Sequence, residues 1–342
     1  MNPESPLEYP IPELPSPGLV KRVANGVYWL RMPLPFALDH INLWLLEDGD
    51  QWAIVDCGYG NEATLDLWGK VIESAMGGRS VSKVIATHHH PDHVGNAGWL
   101  TRHFGAPFWI SQGEYLSAHA QRDGSAGQGR EQLAALYRSN GLDESHIPGI
   151  LKGREHFKNS VPDFPLSYRR ICEGDQLPIG PDVWTVIMGY GHAPEHAALY
   201  CKALGVLISG DMVLPRISTN ISVPASQPDA NPLRMFLDSL TRYAALPADT
   251  LVLPSHGLPF RGMQARIAQL KEHHRLRLSE LLVACESPQS AADVLDVLFR
   301  RKLDSHQMLF AMGEAMAHLH YLHEEGSVRR IKTGDVVRYQ RA

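Results

Sequence analysis

An α/β fold with a helical appendage is what this 342-residue chain predicts, and three observations carry the prediction. From about Leu19 to Pro259, short apolar runs rich in β-branched residues alternate with amphipathic stretches, the texture of strands and helices in one layered domain. Four of those runs lead into His or Asp, which puts polar chemistry at the C-terminal mouths of strands. After Pro259 strand character gives way to long helical stretches.

Residues 1–18, rich in Pro and Glu, read as an extended arm. Val27-Tyr28-Trp29-Leu30, Asn42 to Leu46 and Trp52 to Val55 form a β meander, with Asp48-Gly49 as a hairpin turn. Asp56-Cys57-Gly58 closes the third strand, and Glu62 to Ala75 is an amphipathic helix. Ser82 to Ala86 is a buried strand, and Val94 to Phe104 a helix stopped by Gly105. Pro107 to Ile110 supplies another strand. Residues 112–165 are helical and loopy, with Glu131 to Tyr137 the clearest helix, and read as a cap inserted beside the site. Tyr115, Tyr137 and Phe157 are either walls of an acyl pocket or core.

Strands return at Val183 to Ile187, His196 to Tyr200, Val206 to Ile208 and Leu251 to Leu253. Met263 to Cys285, Ser290 to Leu298 and Ser305 to Glu325 are then three helices, and residues 328–339 alternate around a turn as a β-hairpin. The expected organisation is an arm (1–18), a catalytic domain (19–262) and a winged-helix-like module (263–342).

Hydrophobic residues at 44% and charged residues at 20% are those of a globular protein. A net charge of −5 gives no global basic field to draw nucleic acid or an anionic membrane. The four cysteines are scattered and read as reduced. The arm lacks the basic and apolar regions of a signal peptide, and no window approaches a membrane span, so a cytoplasmic protein is expected.

The chemistry centres on Thr87-His88-His89-His90-Pro91-Asp92-His93-Val94-Gly95. Neutral imidazole nitrogen and anionic carboxylate oxygen are donors for zinc, manganese or iron. A histidine tag would sit at a terminus and carry no interposed Asp. His89, between ligands, is expected to face away. The later strands lead to Gly191-His192-Ala193-Pro194-Glu195-His196, to Ser209-Gly210-Asp211 and to Pro254-Ser255-His256. His196 competes with His192 as a ligand, and the Gly before His192 favours His192.

In this order the motifs resemble the metallo-β-lactamase superfamily, specifically its glyoxalase-II-like hydrolases, over about residues 20–260. The resemblance implies a four-layer αββα sandwich with two divalent metal ions, zinc first and iron or manganese as alternatives. It assigns His88, His90 and His192 to one metal, Asp92, His93 and His256 to the other, and Asp211 to both. Asp56 matches the first acidic motif, a supporting position. A metal-bridging hydroxide would be the nucleophile, and Asp92 the catalytic residue that orients it and shuttles its proton.

The implied activity is cleavage of a small-molecule ester, thioester or lactone. His90 stands where flavodiiron proteins have Glu, Asp211 is absent from most metallo-β-lactamases proper, and Leu214 replaces the Tyr of many acyl-homoserine lactonases. Arg216 reads as a surface residue or a contact for an anionic substrate. The C-terminal module resembles the winged-helix tail of lactamase-beta-like proteins, which keeps a phosphodiesterase or ribonuclease as the alternative. Its hairpin carries Arg329, Arg330, Lys332, Arg338 and Arg341, but Glu314, Glu324 and Glu325 make the preceding helix a poor recognition helix. A solvated wing or a homodimer contact is expected instead. A binding protein without catalysis is the third reading, and the seven intact ligand positions oppose it.

Overall fold

The structure, a computed structural model, describes residues 6–126, 129–154, 156–300 and 302–342. Its first sheet has seven strands in sequence order: β1 (Lys21–Ala24), β2 (Val27–Pro33), β3 (His40–Asp48), β4 (Gln51–Val55), β5 (Val81–Ile85), β6 (Phe108–Ile110) and β7 (Arg169–Arg170). The meander β1 to β4 is antiparallel, and β4 to β7 are parallel. The second sheet runs β12-β11-β10-β9-β8, from β8 (Gln176–Ile179), β9 (Asp182–Gly189), β10 (His196–Cys201), β11 (Val206–Gly210) and β12 (Leu251–Pro254). The tail forms the hairpin β13 (Val328–Thr333) and β14 (Val336–Arg341).

The period of two along β3 explains the layering. Trp44 and Leu46 face the second sheet in one core with Trp29, Val186, Leu199 and Ile208, whereas Leu43 and Leu45 face outward into a second core. Trp29 and Trp44 stack with ring centroids 6.3 Å apart. The outer face of the first sheet is covered by α1 (Glu62–Ser74), α2 (Pro91–Val94), α3 (Ala97–Phe104) and α4 (Gln112–Asp123). The other sheet's outer face is covered by a core shared among α5 (Arg130–Ser139), α6 (Ile147–Arg154), α8 (Pro232–Ala244), α9 (Met263–Ala284), α10 (Leu295–Leu298) and α11 (Ser305–Glu324). The short α7 (His156–Ser160) returns the chain to the first sheet's core through Phe157. This is the αββα sandwich.

Strands β1, β7 and β8 were not among those expected, and three helices also differ from expectation. The helix placed at Val94–Phe104 is two helices, because Gly95 packs backbone on backbone against Gly60 and the Asn96 amide donates to the carbonyls of Cys57 (3.2 Å) and Tyr59 (2.9 Å). The helix placed at Ser290–Leu298 shrinks to Leu295–Leu298, since Ser290 and Asp293 exchange side-chain and backbone hydrogen bonds in a turn. The helix α8 was not expected. The described part of the arm is held to the domain: Glu8 pairs with Arg261, and Leu7 is buried.

A Cβ on Gly95 would lie 2.2 Å from the Gly60 nitrogen, a backbone contact that cannot yield cheaply. Gly95→Ala is therefore expected to lower stability by about 1–3 kcal/mol or more. Denaturant unfolding measures this, and an unchanged midpoint would contradict the packing described.

Tyr115, Tyr137 and Phe157 are all buried in the hydrophobic cores, with Tyr115 stacked on Tyr168 and the Tyr137 hydroxyl donating to the Leu309 carbonyl (2.9 Å). Their packing is that of core residues. Among the described residues no helix is long and apolar enough to cross a membrane.

Candidate metal centre

The donors gather at one end of the two sheets because the strands that carry them are in register. In the first sheet β5 ends at Ile85 beside Val55, so the His88 loop leaves next to Asp56. In the second, Ile208 pairs with Leu253 and Gly210 with Pro254, so Asp211 and His256 emerge together. His192 comes from the loop between β9 and β10. Its position depends on Gly191, whose φ is +97° and whose Cβ would lie 2.2 Å from the Pro232 carbonyl at the start of α8.

Two donor groups result. His88, His90, His192 and Asp211 form one, and Asp92, His93 and His256 the other, with the ligand atoms of each group within 4.8 Å of one another. In the first, His88 Nε2 lies 2.9 Å from His90 Nδ1 and 3.2 Å from His192 Nε2. In the second, His256 Nε2 lies 3.4 Å from Asp92 Oδ2, and His93 Nε2 3.7 Å from the same oxygen. Asp211 reaches both: its Oδ2 is 3.4 Å from His192 Nε2, and its Oδ1 is 3.5 Å from His256 Nε2 and 3.7 Å from His93 Nε2.

Three of the inward nitrogens are aimed by an anchor on the other side of the ring. His192 Nδ1 donates to the Asn220 carbonyl and His256 Nδ1 to the His40 carbonyl, each at 2.8 Å. His93 Nδ1 lies 2.8 Å from Asp56 Oδ2, and the same carboxylate takes the Thr87 amide at 2.8 Å. Asp56 does this from a left-handed backbone (φ +64°), local strain of the kind found at functional sites. Asn42 fixes the His256 loop by donating to the Pro254 and Gly257 carbonyls, both at 2.8 Å. Anchors of this type set the tautomer and orientation of metal-binding histidines.

His196 stays outside both groups. Its Nε2 accepts the Asp211 backbone N–H at 3.1 Å, and burial holds the ring down at about 3. His89 points away to α4, where its ring pairs with the buried Glu114 and accepts from Gln121 (2.8 Å). Arg216 is exposed, with its guanidinium 6.0 Å from the Tyr9 ring.

The charges are those of a cation site. Burial, then neighbouring histidines, hold His88 and His90 well below the ordinary imidazole range. Burial also disfavours charge on His93, but Asp56, Asp92 and Asp211 outweigh it and lift the ring to about 9. His256 is raised well above its ordinary value, burial being overcome by Asp211 and Asp92. Burial would raise Asp211, yet His256 and His93 keep it ionised, well below the ordinary carboxylate range. Without a partner cation such a centre is poorly satisfied: His93 Nε2 and Asp211 Oδ1 are buried and make no hydrogen bond. Tetrahedral donors about 2.0–2.1 Å from a zinc ion stand about 3.3–3.4 Å from each other. The donor set and its spacing thus fit divalent cations.

Comparisons with known proteins agree. A family model described as "Metallo-beta-lactamase superfamily" matches residues 37–256, and one described as "Metallo-beta-lactamase-like, C-terminal domain" matches residues 278–342. The chain is similar to a crystal structure of a beta-lactamase domain protein from Burkholderia ambifaria, at 47% identity and TM-score 0.90, covering 98% of this chain and 97% of that one. It is 26% identical to a probable metallo-hydrolase of Bacillus subtilis over 92% of this chain and 98% of the relative. More distant relatives include a hydroxyacylglutathione hydrolase of Cereibacter sphaeroides (24% identical; 64% of this chain, 66% of the relative). An acyl-coenzyme A thioesterase of Gallus gallus is also 24% identical, over 56% of this chain and 65% of the relative.

Proposed function

The chain belongs to the metallo-beta-lactamase superfamily, and from that premise we propose that it is a binuclear metal-dependent hydrolase of a small ester, thioester or lactone. The observation that carries the two-metal reading is the Asp211 carboxylate, with one oxygen facing His192 and the other facing His93 and His256. Two divalent cations would supply Lewis acidity, polarising the scissile carbonyl and drawing the pKa of a water toward neutrality. The anchored rings would present their nitrogens without rearrangement, and Asp211 would hold the two positions in register. Asp92, whose side chain keeps 18% exposure while its Oδ2 sits 3.4 Å from His256, would accept a proton and return it to the leaving group. Relatives named as a hydroxyacylglutathione hydrolase and a thioesterase support an acyl substrate.

Pairing of three of the five basic hairpin residues weighs against the ribonuclease alternative. Arg330 is paired with Asp229 and Arg338 with Asp293, both at 2.6 Å, and Arg341 approaches Glu286 at 3.7 Å. One face of α11 is turned inward, with Ala311, Met312, Ala315, Met316 and Leu319 buried in the shared core.

Turnover of a thioester, a lactone and bis-p-nitrophenyl phosphate, measured on chelated and metal-restored protein, tests the proposal. We expect metal-dependent cleavage of an acyl substrate, unaffected by Arg330→Ala, and about two metals per chain. Preference for the phosphodiester, or well under one metal per chain with no activity after metal addition, would reject it.

A further inference from the structure

We propose that Glu114 is a positioning residue that holds together the two loops carrying His88, His90 and His192, the histidines of the donor group completed by Asp211. Glu114 sits in the first turn of α4, in the cap, and its side chain has no exposure. Sequence position would make it an ordinary acidic residue near a helix start. Instead both of its oxygens are committed to other segments.

Its Oε2 accepts the backbone N–H of His89 at 3.0 Å and also the ring of the same residue at Nδ1. Because Gln121 donates to His89 Nε2 (2.8 Å), the ring proton lies on Nδ1, so His89 is a double donor to this one carboxylate. The other oxygen, Oε1, accepts the backbone N–H of Glu195 at 2.6 Å. Glu195 reciprocates: its own Oε2 takes the Gly113 N–H at 2.7 Å, and its carbonyl takes the Ser111 hydroxyl at 2.8 Å. Two carboxylates thereby cross-link three segments through directed bonds.

The segments matter. His89 lies between His88 and His90, and Glu195 lies between His192 and His196, which receives the Asp211 N–H. The Glu114 carboxylate therefore sets the separation of the two loops that supply the three histidines of the first donor group. The second group is anchored elsewhere, His93 on Asp56 and His256 on the His40 carbonyl. A carboxylate acting this way should govern one cation and spare the other. A residue that merely stabilises the fold would weaken both alike.

The inference rests on the two-cation reading, and zinc binding separates the two. The apo chain is titrated with zinc alone, in competition with a chelator, for the wild type and for Glu114→Gln, whose amide turns N–H toward donors. We expect the wild type to take two equivalents. In the variant one equivalent should weaken about 10–100-fold while the other keeps its affinity, and the survivor should be the equivalent that His256→Ala removes. Glu195→Ala, at a half-buried position, gives a smaller loss of the same equivalent and serves if Glu114→Gln does not fold. Two unchanged equivalents, or equal weakening of both, overturn the role of Glu114 and leave the two-cation reading standing. A wild type that takes fewer than two overturns both.

Discussion

Asp211→Ala is expected to reduce acyl-substrate turnover by about a thousandfold or more, about 4 kcal/mol of activation free energy, with the fold intact. The fold should survive because what Asp211 gives the surrounding structure comes from its backbone. Its N–H donates to His196, and its carbonyl accepts the Thr219 hydroxyl. Among the described residues the side chain meets the donor histidines and nothing of the surrounding scaffold: its Oδ2 is 3.4 Å from His192, and its Oδ1, a buried atom without a hydrogen bond, faces His93 and His256. Removing it deletes the negative charge shared by the two donor groups and takes the common carboxylate from three imidazole nitrogens, those of His93, His192 and His256. Asp211→Asn sharpens the test, since an amide keeps one acceptor oxygen and turns an N–H toward the other group. It should retain one metal and little turnover. Circular dichroism, elemental analysis and turnover on the same preparations decide the matter, and wild-type turnover in a folded Asp211→Ala would reject Asp211 as the shared ligand.

The first donor loop was legible because sequence and space coincide there: four donors within six residues need only a strand before them and a helix after them. His192, Asp211 and His256 were legible for a related reason, each closing a recognisable strand. The choice of His192 over His196 could be argued from Gly191, and the structure supplies the cause, a positive φ that lets the loop pass the start of α8. Glu114, Asn42 and Asn220 were not legible. Each acts through partners more than 20 residues away, and a lone Glu in a helix's first turn or a lone Asn in a strand has an ordinary local explanation. Helix α8 had a signal, since Asn231-Pro232 is an N-cap followed by Pro at the first turn, and the Asn231 side chain does accept the Arg234 N–H at 3.1 Å. Ser290 shows the converse, a cap signal that closes a turn before a much shorter helix.

Acid sensitivity should arise at the seam between α9 and α11, far from the donor groups in sequence. His318 Nδ1 lies 2.8 Å from the Glu314 carbonyl, which can only accept, so the ring proton is there. His318 Nε2 is then bare and accepts from His274 Nδ1 at 3.2 Å, leaving His274 Nε2 bare and without a hydrogen-bond partner. Both rings are buried and neutral. Burial lowers His274 to about 3 and His318 to about 4, against about 6.5 in an unfolded chain. Between pH 6.5 and about 4 the unfolded chain therefore binds more protons. The stability from this pair is complete above pH 6.5 and is lost as pH falls, by up to about 1.4 kcal/mol per pH unit for each ring. Glu314 works in the opposite direction, because burial raises its carboxyl to about 7 and the folded chain keeps a proton that the unfolded chain releases above about 4.5. Two rings against one carboxyl leave a net rise of stability with pH between about 4.5 and 6.5. Guanidinium unfolding across that range, at fixed metal content, should give a flatter profile for the double variant His274→Leu/His318→Leu and a steeper one for Glu314→Gln. If both variant profiles run parallel to the wild type, the buried histidine pair is not a source of acid lability.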